Sequence, residues 1–173
     1  MDDKILSTEE LISIYLSENY GYHSYISTKS QYLSNFDRER LIEFILKDSV
    51  NKDDETRADL LDLIGFIDKK SGVHQCIVAL QNDRSELVKR RACWILQNIG
   101  NDSAVDALHN AILHDKSPGV RIDAIDTLSD LKSVESLWVI ETAFKNDSGY
   151  TEDTTVKEVA EIAINYLNGL KSS

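Results

Sequence analysis

The apolar positions of this chain fall into a helical rhythm, and the rhythm then repeats. The stretches "VHQCIVALQND" (73–83), "VDALHNAILHD" (105–115) and "LWVIETAFKND" (137–147) align without gaps at a spacing of 32 residues. Val73, Val105 and Leu137 coincide, as do Cys76, Leu108 and Ile140, then Leu80, Ile112 and Phe144. Within each stretch the apolar places stand at i, i+3 and i+7, one face of an α-helix. Each stretch closes on an aspartate: Asp83, Asp115 and Asp147.

A second helix follows each of these. "VKRRACWILQNIG" (88–100) matches "VRIDAIDTLSDLK" (120–132) at the same offset, through Val88/Val120, Ala92/Ala124, Leu96/Leu128 and Ile99/Leu131. "VKEVAEIAINYL" (156–167) repeats the pattern at an offset of 36 with Val156, Ala160, Ile164 and Leu167. "TRADLLDLIGFI" (56–67) is a weaker copy carrying Leu60, Ile64 and Ile67. A two-helix unit used several times in succession is the signature of a stacked repeat array.

Local signals place the helix ends. Ser117 before Pro118 reads as a cap followed by a first-turn proline, where the missing N–H costs nothing. Ser7 and Glu10 of "STEE" fit a capping box opening a helix over "ELISIYL". The acidic run 53–55 suits the positive end of a helix dipole. Gly169 followed by Leu170 predicts a left-handed stop.

The core "VRxxAxxxLxxL" of 120–131, preceded by an aspartate and a short turn, resembles a HEAT-like repeat, nearest the short type named for phycobilisome lyases. The likeness runs over about residues 38 to 169 and is strongest over 71 to 132. It implies an all-α fold, a right-handed α-α superhelix of about four helix pairs plus an N-terminal cap helix. Residues 1–37 would form the cap helix and a tyrosine-rich loop, and 38–173 the repeats, as one domain overall. The same position is basic in every unit, as Arg57, Lys89, Arg121 and Lys157, and an aspartate precedes it by six residues at 83 and 115. In this family such acids and bases form a ladder that ties the turns together. The resemblance gives that role to Asp83, Lys89, Asp115 and Arg121. A cation used once for chemistry would not recur in each unit.

Charge narrows the partners. The 19 Lys+Arg against 30 Asp+Glu leave a net charge of −11, a surface that repels nucleic acid and anionic lipid and attracts a basic protein. No apolar run approaches the roughly 18 residues of a membrane span. The start "MDDKILSTEE" lacks the basic-then-apolar order of a signal peptide, so a cytoplasmic location is expected.

Candidate chemistry is sparse. Cys76 and Cys93 fall on core positions and should be buried, reduced thiols. His23, His74, His109 and His114 show no metal-ligand spacing, so neither a metal nor a cofactor is expected. Neither a phosphate loop nor a nucleophile elbow is present. Some HEAT-like folds are DNA glycosylases with a basic groove, which directs attention to the outward positions of the second helices. By helical spacing these are Asp59, Asp62 and Phe66, then Arg91, Trp94 and Asn98, then Asp123, Asp126 and Asp130. The stripe is mostly acidic with aromatics set in it. It would repel a duplex and suit a basic protein.

Two further departures from the repeat stand out. The segment 18–36 carries Tyr20, Tyr22, Tyr25 and Tyr32 and is either a cap over the end of the core or a recognition loop. The insertion "GYTE" (149–152) places Tyr150 on one edge as a further contact candidate. The sequence therefore predicts a non-catalytic protein-binding repeat protein, most specifically an inhibitor or immunity-type protein that neutralises a basic partner such as a nuclease toxin. The alternative is a general adaptor or regulatory scaffold, ahead of a glycosylase or a chromophore-lyase-like enzyme. Oligomeric state is left open.

Overall fold

The computed structural model describes residues 38–171. The expected capping box at Ser7 and Glu10, the cap helix and the tyrosine-rich segment 18–36 lie outside the described residues. Among the described residues eight α-helices follow one another: α1 (Arg38–Ser49), α2 (Asp54–Ile67), α3 (Lys69–Asn82), α4 (Glu86–Ile99), α5 (Val105–His114), α6 (Pro118–Asp130), α7 (Leu137–Asn146) and α8 (Val156–Lys171). Short 3-10 turns at Asp102–Ala104 and Val134–Ser136 lead into α5 and α7.

Consecutive helices pair as α1/α2, α3/α4, α5/α6 and α7/α8, and the pairs stack in chain order. The second helices α2, α4, α6 and α8 touch their neighbours in one layer, and α3, α5 and α7 do so in the other. This is an all-α solenoid of HEAT-like pairs, with four pairs described. Among the described residues the only strand-like pairing is an isolated bridge between Tyr150 and Thr155.

The recurrent apolar positions form the core. Cys76, Leu96, Leu108, Ile125, Leu128 and Ile140 are fully buried, within one cluster that runs from Ala58 to Leu167. Removing a side chain such as Leu128 would cost about 2–5 kcal/mol, the lost transfer energy plus the cavity left behind. A smaller cluster of Ile45, Leu60, Leu63, Ile64 and Ile67 joins α1 to α2. Both cysteines are buried and unpaired, as their core positions predict. Burial pushes the Cys76 thiol up to about 12, which leaves it inert at neutral pH.

Helix ends largely follow their sequence signals. Asp53 caps α2 by accepting from the Thr56 N–H at 2.8 Å, with Asp54 and Glu55 in the first turn. Ser117 caps α6 by accepting from the Val120 N–H at 3.3 Å, and Pro118 stands in the first turn. A capping box that was not anticipated opens α8. Thr155 accepts from the Glu158 N–H at 3.1 Å, while Glu158 accepts from the Thr155 N–H at 2.8 Å. The expected stop at Gly169 is not there: α8 runs through it to Lys171, because a glycine without a left-handed φ continues a helix.

The last pair departs from the repeat in a consistent way. Glu158 and Glu161 occupy the places that Ile122 and Ile125 fill on α6, so α8 turns a polar side away from the stack. On α7, Phe144 is 37% exposed where Leu80 and Ile112 are each 2% exposed. Both glutamates are exposed, so this side of α8 faces water.

Candidate functional site: the outer face of the second helices

The recurring base resolves first, because it borders the candidate face. Arg57 meets Asp83 at 2.8 Å, Lys89 meets Asp115 at 2.6 Å and Arg121 meets Asp147 at 2.6 Å. Each base therefore reaches the acid of the following unit, 26 residues ahead, rather than the acid six residues before it. Arg57 and Asp147 join the four expected members. Each acid also accepts from the backbone N–H two residues on, at Ser85, Ser117 and Gly149, and so fixes its own turn. Arg121 closes the rung by donating to the Asp115 carbonyl at 2.9 Å. A Cβ at residue 149 would collide with the Arg121 guanidinium, which explains the glycine there. Burial raises the carboxyls of Asp83 and Asp147, but the arginine bonds and the turn N–H outweigh it and hold both below the usual 3.8. The ladder is structural.

The outward stripe is less uniform than its sequence suggests. Asp62 is only 7% exposed and lies under Arg91, whose guanidinium bonds to it and stands 3.8 Å from Asp59. This corrects the expectation that Asp62 faces a partner. The position carries a near-buried ion pair because Arg91 folds back over α2. Phe66, half-buried, flanks the same region. Arg90 holds Asp123 at 2.7 Å, and Gln97 donates to Asp130. Asn98 is exposed and turned to the Trp94 carbonyl at 2.7 Å.

One carboxylate remains. Asp126 makes no hydrogen bond or ion pair with any described residue and is exposed on α6. Its carboxyl is pushed up to about 6, first by partial burial and then by the charges of Asp123 and Asp130 on either side. The side chains in equivalent places on the adjoining helices are apolar. Trp94 on α4 is 39% exposed, and on α8 Ile162 and Tyr166 are 70% and 43% exposed. The buried Thr127 hydroxyl lies 2.7 Å from the Asp123 carbonyl of its own helix and 3.1 Å from the Cys93 carbonyl of α4, which brings the two helices together at this level. Carrying the 36-residue offset from α6 to α8 would have found Ile162 opposite Asp126 and Tyr166 opposite Asp130.

The face that remains is thus smaller and more apolar than the stripe. By the repeat offsets, Trp94 and Ile162 take the places equivalent to Asp126 on the two adjoining helices, and Asn98 and Tyr166 those equivalent to Asp130. Tyr150 does not belong to this face. It stands 73% exposed in the α7–α8 turn, next to the ladder edge. On the opposite layer His109 meets Trp138 edge-on at 5.3 Å and bonds to the Ser136 hydroxyl at 2.7 Å, which ties α5 to the α7 entry. Among the described residues no group of three or more His, Cys, Asp or Glu side chains is placed to hold a metal ion, and no helix is long and apolar enough to cross a membrane.

Comparison with known proteins agrees with the architecture. Over 100 residues, 57% of the chain, it is 30% identical to deoxyhypusine hydroxylase of Saccharomyces cerevisiae, of whose length the match covers 30%. Residues 73–165, which span α4 to α7 and most of α3 and α8, match the family described as HEAT repeats. With the paired helices, the shared core and the inter-unit ladder all in register over that span, the chain belongs to the HEAT repeat family.

Proposed function

We propose that this protein is a non-catalytic binding protein of the cytoplasm that captures a basic protein partner on the outer face of α4, α6 and α8, as an inhibitor or immunity-type protein would. HEAT repeats point to a role in protein interaction or scaffolding, and the finer reading rests on one observation. Three large side chains, Trp94, Ile162 and Tyr166, stay exposed on the helices that flank α6, at the places equivalent to Asp126 or one turn on, and Asp126 itself has no ion pair with any described residue. Tryptophan and tyrosine are enriched among the side chains that carry most of an interface's binding energy. The net charge of −11 speeds encounter with a cationic surface and slows it with an anionic one. A general scaffold with an uncharged partner would use the same aromatics but not the carboxylate.

The test is capture from extracts of the cells that make the protein, at moderate salt. The wild type is compared with a Trp94→Ala, Asp126→Lys, Tyr166→Ala variant. A basic protein retained by the first and lost by the second supports the reading. Retention unchanged by the substitutions, or of an acidic partner, contradicts it.

A further inference from the structure

We infer that the group received by this face is an arginine side chain of the partner, its guanidinium lying on the Trp94 indole and bonded to the Asp126 carboxylate, with a neighbouring apolar residue of the same segment on Ile162 and Tyr166. The inference rests on the reading of the face as a protein-docking surface and adds which residue type it selects.

The surrounding acids define what is left to bind. Asp59 and Asp62 are served by Arg91, Asp123 by Arg90 and Asp130 by Gln97. Cations entering the stripe therefore find one carboxylate without such a partner, at its centre. Partial burial first, and then the charges of Asp123 and Asp130, disfavour the ionised Asp126 carboxyl, and a cation beside it offsets both. The charged groups that act on it are those two acids on α6. On α8 the equivalent places are Val159, Ile162 and Tyr166.

Trp94 decides between arginine and lysine. It occupies on α4 the place that Asp126 occupies on the adjoining α6, so the repeat puts an indole and a carboxylate at equivalent positions of neighbouring helices. A planar guanidinium can stack on the ring and still offer two N–H groups to the carboxylate. A lysine ammonium is a strongly hydrated point charge and must give up water to do either. The 70% exposed Ile162, beyond Asp126 on the far side, supplies apolar area for the residue one helical turn from the arginine.

Three synthetic peptides test this, each a helix with one central residue and a leucine a turn away. The central residue is arginine, lysine or citrulline, the last keeping the shape without the charge. Binding is followed by NMR at the Trp94 indole N–H and the Ile162 methyls, with Trp138 on the opposite layer as internal control. The expected result is that the arginine peptide moves both signals and binds at least about fivefold more tightly than the lysine peptide. Asp126→Asn should abolish that preference while leaving the Trp138 signal and the far-UV spectrum unchanged. Equal binding of all three peptides at Trp94 and Ile162 would overturn the arginine anchor while leaving the docking face intact. No movement with any peptide would also overturn it, and the fate of the docking face would then rest on the extract capture.

Discussion

Arg121 and Asp147 are joined by two parallel bonds, from Nε at 2.6 Å and Nη2 at 2.8 Å, across the seam between the third and fourth helix pairs. The same guanidinium holds the carbonyl of Asp115 in its own turn. One side chain thus locks two turns of neighbouring units, and the pair is mostly shielded from water. Removing one member leaves the other charge without its partner. Arg121→Ala should therefore lower stability by about 2–3 kcal/mol in urea unfolding, more than a surface ion pair would. Arg121→Lys should recover only part, since an ammonium cannot make both bonds. A loss below about 0.5 kcal/mol would mean the rung contributes little.

Acid should act through the same rungs. Asp83 and Asp147 have folded pKa values below the 3.8 of a free aspartate. Their contribution is fully present above 3.8 and is lost as pH falls through the lower folded value. Unfolding midpoints should fall below about pH 4, and less steeply in Arg57→Ala and Arg121→Ala, which have already lost the favourable pairing.

Asp126 behaves in the opposite sense. Its folded value is raised to about 6, so the folded state holds the proton more tightly and stability declines as pH rises from about 4 through 6. Asp126→Asn should raise Tm at pH 7 and leave it nearly unchanged at pH 4, read by calorimetry at both values. An equal effect at the two pH values would show that the neighbouring acids do not repel it.

Helix contact can be probed at Gly72. A Cβ there would fall on the Gly65 Cα and stand 3.0 Å from the Ile99 Cδ1, because α2 and α3 cross backbone to backbone at this point. Gly72→Ala should destabilise by about 1–3 kcal/mol despite the gain in helix propensity. A stabilised variant would mean the helices are not in that contact.

The fold was legible because its signal is repeated. Each of Cys76, Leu108 and Ile140 is one weak apolar mark, but three at a fixed spacing locate a helix and its inward side. The ladder residues were equally visible, yet their pairing was not. An acid six residues before a base and an acid 26 residues after it are the same place in a 32-residue repeat, and only the stacked units show which is near. The candidate face was half legible. Trp94 and Asp126 stand out as departures from the pattern, whereas the burial of Asp62 depends on how Arg91 folds across to α2. The ion pair of Asp123 with Arg90 and the hydrogen bond from Gln97 to Asp130 likewise cross between helices, a relation that spacing along one helix does not carry.

The central claim is that partner contact falls on α4, α6 and α8 around Asp126. Hydrogen–deuterium exchange of the protein with and without the basic partner captured from its own cells tests this most directly. The account predicts slowed exchange in the middle and later turns of those three helices, about Trp94, Asp126 and Ile162, with α5 and α7 unchanged. Protection confined to α5 and α7, on the side of His109 and Trp138, would contradict it.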